Sequence, residues 1–115
     1  MAKKRAVDIK VTPSSGNVFA DLGFAEPEEE LAKAQLAALI RHVLKRRRLT
    51  QTAAAGVMGI DQPKVSALLN GRLSGFSSDR LMRLLTSLGQ DVEIVVKSKP
   101  RGRDRGRISV TAEHA

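Results

Sequence analysis

Gln62, Lys64, Ser66 and Asn70 fall within one short stretch, and each carries a side chain suited to reading nucleic acid. A glutamine amide makes a bidentate pair with adenine in the major groove. A lysine reaches guanine or phosphate, and Ser and Asn hold a phosphate or a base edge. Asp61, just before them, is an awkward neighbour for DNA unless backbone N–H groups occupy its carboxylate. Arg48, Arg72 and the polar pair Thr50 and Gln51 stand close by in sequence.

These residues need rigid elements to position them, and the stretch from Leu49 to Arg72 supplies two. Thr50 is a plausible N-cap for a helix over Gln51 to Met58. Ala53, Ala54 and Ala55 favour helix and let a second helix approach closely. Gly59 sits where the backbone must turn. The second helix has sharper start signals: Asp61 as N-cap, Ile60 and Val65 at hydrophobic-staple spacing, and Pro63 in the first turn. Val65, Leu68 and Leu69 form its apolar stripe, which leaves Gln62, Lys64, Ser66 and Asn70 outside. Gly71 is its stop. Two short helices around a tight turn form the unit that places one helix in a DNA groove.

The run from Gln51 to Arg72 resembles the Xre or lambda-repressor-like helix-turn-helix family. Gln51 opens the motif, Ala55 is its small contact residue, Gly59 its turn glycine, and Val65 and Leu68 the core pair of its second helix. DQPKVSALLNGR, the upstream GNVFADLGF and the downstream LMRLLTSLGQDVEIVV resemble HigA-type antitoxins of bacterial toxin–antitoxin pairs. The likeness extends from about Gly16 to Lys97. It implies a mainly α fold, a lambda-repressor-like bundle with a short C-terminal β-strand. It also implies a repressor of its own operon that neutralises a RelE-fold ribonuclease toxin. The candidate DNA contacts are Arg48, Thr50, Gln51, Gln62, Pro63, Lys64, Ser66, Asn70 and Arg72. Gln62, Lys64 and Ser66 would read bases, while Gln51, Asn70 and Arg72 would set the register.

Composition narrows the alternatives. A chain of 115 residues holds one small domain with tails. Three phenylalanines and no Trp or Tyr leave a core of Leu, Val and Ala, marginal alone and helped by a homodimer. Cysteine is absent, so disulfides and thiolate chemistry are excluded. No metal or cofactor is expected. No apolar run reaches membrane-span length and the N-terminus lacks a signal-peptide pattern, so a cytoplasmic protein is expected. The net charge of +8 is uneven: residues 1–30 carry −2 and residues 31–115 carry +10, which suits a polyanion. Nothing resembles a nucleophile with its base or a glycine-rich phosphate loop, so an enzyme is the poorest reading.

The chain divides into residues 1–26, 27–97 and 98–115. In the first part Val7, Ile9 and Val11 alternate with polar residues as in a strand, or belong to a tail. Asn17 to Leu22 suits a short helical turn. Phe19, Leu22 and Phe24 form an apolar flap, which the family resemblance makes a candidate toxin contact. The second part starts with a helix from Pro27 to about Arg47. Glu28 to Glu30 lie at its N-terminal end and Arg46 to Arg48 at the other, as the helix dipole favours. Function offers a second account: the acids meet a basic toxin and the arginines grip phosphates. Leu36, Leu39, Ile40, Val43 and Leu44 form the buried stripe, with His42 expected to be partly buried beside it. Ser77 caps a helix from Ser78 to Leu88, flanked by Phe76 and Leu81 at staple spacing. Arg72 and Arg80 touch phosphates or are solvated surface charges. Asp91 to Lys97 reads as a strand needing a partner: the Val7–Val11 segment, its two-fold mate or a toxin strand. SKPRGRDRGR reads as a flexible basic arm for phosphate, the minor groove or RNA. A stand-alone regulator without a toxin, and an RNA-binding protein, are the alternative functions.

Overall fold

The structure, a computed structural model, describes residues 26–113. Four helices make up the regular elements there: α1 (Glu26–Arg46), α2 (Gln51–Met58), α3 (Gln62–Leu69) and α4 (Ser78–Ser87). α1 is the long spine. α4 packs chiefly on it, α3 crosses it, and α2 packs on α3.

The core is one cluster of side chains from all four helices. α1 contributes Leu36, Ala37, Ile40, Val43 and Leu44; α2 contributes Ala54 and Met58; α3 contributes Val65 and Leu68; α4 contributes Leu81, Leu84 and Leu85. Burying each large aliphatic side chain contributes about 1.5–3 kcal/mol. Ile60 and Phe76, just outside the starts of α3 and α4, are also buried. Each lies five residues before a buried partner, Val65 and Leu81, so both staples fix the angle at which the chain enters its helix.

The helix starts are set by the side chains the sequence nominates. Thr50, Asp61 and Ser77 accept hydrogen bonds from the N–H groups of Ala53, Lys64 and Arg80 at 2.9–3.0 Å. Helix ends follow one pattern. At Gly59, Gly71 and Gly89 the backbone turns left-handed, with φ of 70°, 75° and 87°. The next residue's N–H then reaches back five residues to a carbonyl (Ile60 to Ala55, Arg72 to Ala67, Gln90 to Leu85). α1 ends the same way, with Leu49 N–H on Leu44 O, but its left-handed residue is Arg48 at φ 56°.

Three expectations are corrected. His42 is exposed. It lies well round α1 from the stripe through Leu36, Ile40 and Val43, and Lys33 falls within that stripe instead, only 6% exposed with its ammonium 3.6 Å from Glu30. Asp91 to Lys97 forms no strand among the described residues, because a ladder needs a second strand and none lies beside it. The basic segment does not leave the domain as a free arm. Arg105 pairs with Glu28 at 3.0 Å, the Ile108 N–H donates to the same carboxylate at 3.3 Å, and Val110 packs on the core. The acidic first turn of α1 thus receives the chain's own tail. The expectations for Val7–Val11, Asn17–Leu22 and the Phe19–Phe24 flap lie outside the described residues.

Candidate nucleic-acid interface

α3 buries Val65 and Leu68 against the other helices. On an α-helix with 3.6 residues per turn, Gln62, Pro63, Ser66 and Asn70 then share the opposite face. Gln62, Pro63 and Asn70 are exposed and Ser66 is half-buried. This is the polar face the sequence expects, and its side chains are already partly ordered. The Gln62 amide donates to the Thr52 hydroxyl of α2 at 3.1 Å. The Asn70 amide donates to Ser66 O at 2.9 Å and lies 3.4 Å from its Oγ. Gln62 keeps its carbonyl oxygen and its second amide hydrogen for an outside partner. One oxygen of the exposed Asp61 carboxylate accepts from the Lys64 N–H, so the acid among these bases serves as the helix cap.

Two shallow grooves flank the face. One, of about 480 Å³, runs between the end of α1 and the start of α2 and is lined by Arg41, Lys45, Arg48, Thr50 and Gln51. The other, of about 330 Å³, is lined by Asp61, Pro63, Lys64, Arg72 and Phe76. The nine candidates therefore separate. Gln62, Pro63, Ser66 and Asn70 occupy the central face; Arg48, Thr50 and Gln51 lie on one flank, and Lys64 with Arg72 on the other, alongside Pro63. Lys64 is half-buried and lines the same groove as Arg72.

Other arginines are tied to the fold. Arg41 donates to Leu68 O, at the C-terminal end of α3, at 3.3 Å. Arg47 donates to Leu88 O at the end of α4 at 3.1 Å. Each meets the negative end of a helix dipole. Arg80 lies over the Phe76 ring, 5.9 Å from its centroid. Arg46 and Arg48 stay exposed. Sequence reasoning missed Thr52 as the partner of Gln62, and Lys45 as a lining residue. The spacing of Arg41 and Lys45, one turn apart on α1, is the signal that would have found Lys45.

Residues 18–97 match the family described as "Helix-turn-helix domain". A solved structure described as "Putative XRE Family Transcriptional Regulator" is 54% identical, covers 77% of this chain and all of its own, and superposes with a TM-score of 0.75. The chain belongs to the Xre-like helix-turn-helix family. No curated protein matches it. Within the helix-turn-helix unit, α2 supports and α3 is the helix with its polar side outward. Among the described residues no cluster of His, Asp or Glu is placed to hold a metal ion, and no helix is long and apolar enough to cross a membrane.

Proposed function

We propose that this chain is a sequence-specific DNA-binding transcription regulator that works as a homodimer, with α3 of each subunit in a major groove. The observation that carries this reading is the outward face of Gln62, Pro63, Ser66 and Asn70 between one flank with Lys45 and Arg48 and another with Lys64 and Arg72. Gln62, braced by Thr52, reads a base edge. Arg48, Thr50 and Gln51 on one side, and Lys64 and Arg72 on the other, hold the two phosphate backbones and set the register. Two subunits would address half-sites about one helical turn, roughly 34 Å, apart. Selection from a random duplex pool tests this directly: a palindromic site with that spacing supports the reading, and failure to enrich any sequence contradicts it. On the enriched site Arg72→Ala should weaken cognate and scrambled duplex equally, and lower the salt slope of log K by about 1.

The finer role, a HigA-like antitoxin that represses its own operon and neutralises a RelE-fold ribonuclease, rests on the resemblance of DQPKVSALLNGR and its flanking segments. The contact between Glu28 and Arg105 makes the acidic end of α1 a poorer toxin-binding site than its charge suggests. Co-expression with the adjacent reading frame tests the role. Rescue of growth from a toxic neighbour supports it, and a harmless neighbour favours a stand-alone regulator.

A further inference from the structure

Beyond the end of α4 the chain carries an unsatisfied edge. Among the described residues, the backbone of residues 91–99 makes no hydrogen bond to any other backbone group. Ile94, Val95 and Val96 are 69%, 71% and 90% exposed. No residue between Gln90 and Arg101 has a positive φ, so nothing in the backbone prevents strand pairing. The segment is held at both ends. Val92, near its start, packs on the core; Ile108 and Val110 are anchored after it. An exposed run of β-branched residues with free N–H and C=O groups is a template for another strand.

The sequence specifies which strand. We propose that residues 91–99 pair antiparallel with the same residues of a second copy, with the two-fold axis at Val95. This deepens the homodimer of the functional reading by naming its interface. DVEIVVKSK is acidic before Val95 and basic after it. About that axis Val95 faces the partner's Val95, Ile94 faces the partner's Val96, Glu93 faces the partner's Lys97, and Asp91 faces the partner's Lys99. Every opposite charge pair occurs twice by symmetry, and the apolar residues meet in the middle. Moving the axis to Val96 sets Val95 opposite Lys97 and leaves one apolar pair; moving it to Ile94 keeps three apolar pairs but sets Glu93 opposite Val95 and leaves two opposite-charge pairs in place of four, so charge pairing selects the Val95 register. A parallel pairing in register would place like charges side by side. The occupant is therefore a second copy in one orientation, an isologous contact.

The test is sedimentation of the full chain without DNA over a range of concentrations. The wild type should dimerise. Glu93→Lys and Lys97→Glu, each alone, should raise the dimer dissociation constant about tenfold, because two opposite-charge pairs become two like-charge pairs. Mixing the two variants should restore association as a heterodimer, and the double swap E93K/K97E should restore the homodimer. Val95→Lys, at a site exposed in the single chain, should abolish the dimer while leaving the helical circular dichroism unchanged. A wild type that stays monomeric, or single variants that associate like wild type, or a mixture that shows no recovery, would overturn the interface. A monomer that still discriminates its selected site sinks only this inference. A dimer with the expected swap pattern and no duplex affinity supports the interface and sinks the DNA reading instead.

Discussion

The outward face of α3 and the segment from Asp91 to Lys99 are both exposed, and they are exposed in opposite ways. On α3 the backbone is engaged in helix and cap hydrogen bonds, and the side chains left outside are mostly polar. From Asp91 to Lys99 the backbone pairs with no other backbone group, and the central side chains left outside are apolar. A surface with satisfied backbone and free amides suits a hydrogen-bonding target that stays wet, such as a DNA groove. A surface with free backbone and bare Ile and Val suits another polypeptide, which alone supplies a matching row of N–H and C=O groups. The two regions thus assign different partners to two surfaces of one small domain.

The largest perturbation separates the regions by their dependence on the core. Leu68→Ala leaves a cavity where α3 meets α1, and should cost about 2–5 kcal/mol in thermal or denaturant unfolding. A loss below about 1 kcal/mol would mean that α3 is not anchored as described. Arg48→Gly sharpens the comparison on the reading side. Glycine relieves the left-handed strain that Gly59, Gly71 and Gly89 avoid, so unfolding should show a gain of about 1 kcal/mol. Affinity for duplex should fall on cognate and scrambled sequences alike, since a flanking charge is lost. Gaining stability while losing affinity marks Arg48 as kept for its charge; unchanged affinity would remove it from the interface. The smallest effect belongs to the tail side. Glu28→Gln should cost no more than about 1 kcal/mol, because the pair with Arg105 is partly exposed. Hydrogen exchange of the Ile108 amide should speed up in that variant, and unchanged exchange would show that the clasp lies elsewhere.

The legible parts of the fold were those whose causes are local. Thr50, Asp61 and Ser77 act on N–H groups three residues away, and both staples span five residues, so a sequence pattern contains the whole interaction. Asp91 to Lys97 forms no strand within the described residues because a strand is a property of a pair, and its pattern reports capacity without showing a partner. The basic tail was misread for a related reason. Its Arg and Gly content forecasts no core, but the contacts that hold it lie on Glu28, about 80 residues earlier. In the candidate site, the polar face of α3 followed from helical periodicity. The diversion of Arg41 and Arg47 to helix-end carbonyls did not, because it depends on which helix ends lie across the packing. The half-burial of Lys64 was within reach of the periodicity, since its position lies near that of buried Leu68.

The most direct measurement compares the affinity of wild type and Gln62→Ala for the selected duplex and for a scrambled one, at fixed salt. Gln62→Ala should lose roughly 1–3 kcal/mol on the selected duplex and almost none on the scrambled one, so that discrimination collapses while general affinity remains. Equal losses on both duplexes, or no loss on either, would contradict the claim that α3 reads sequence through Gln62.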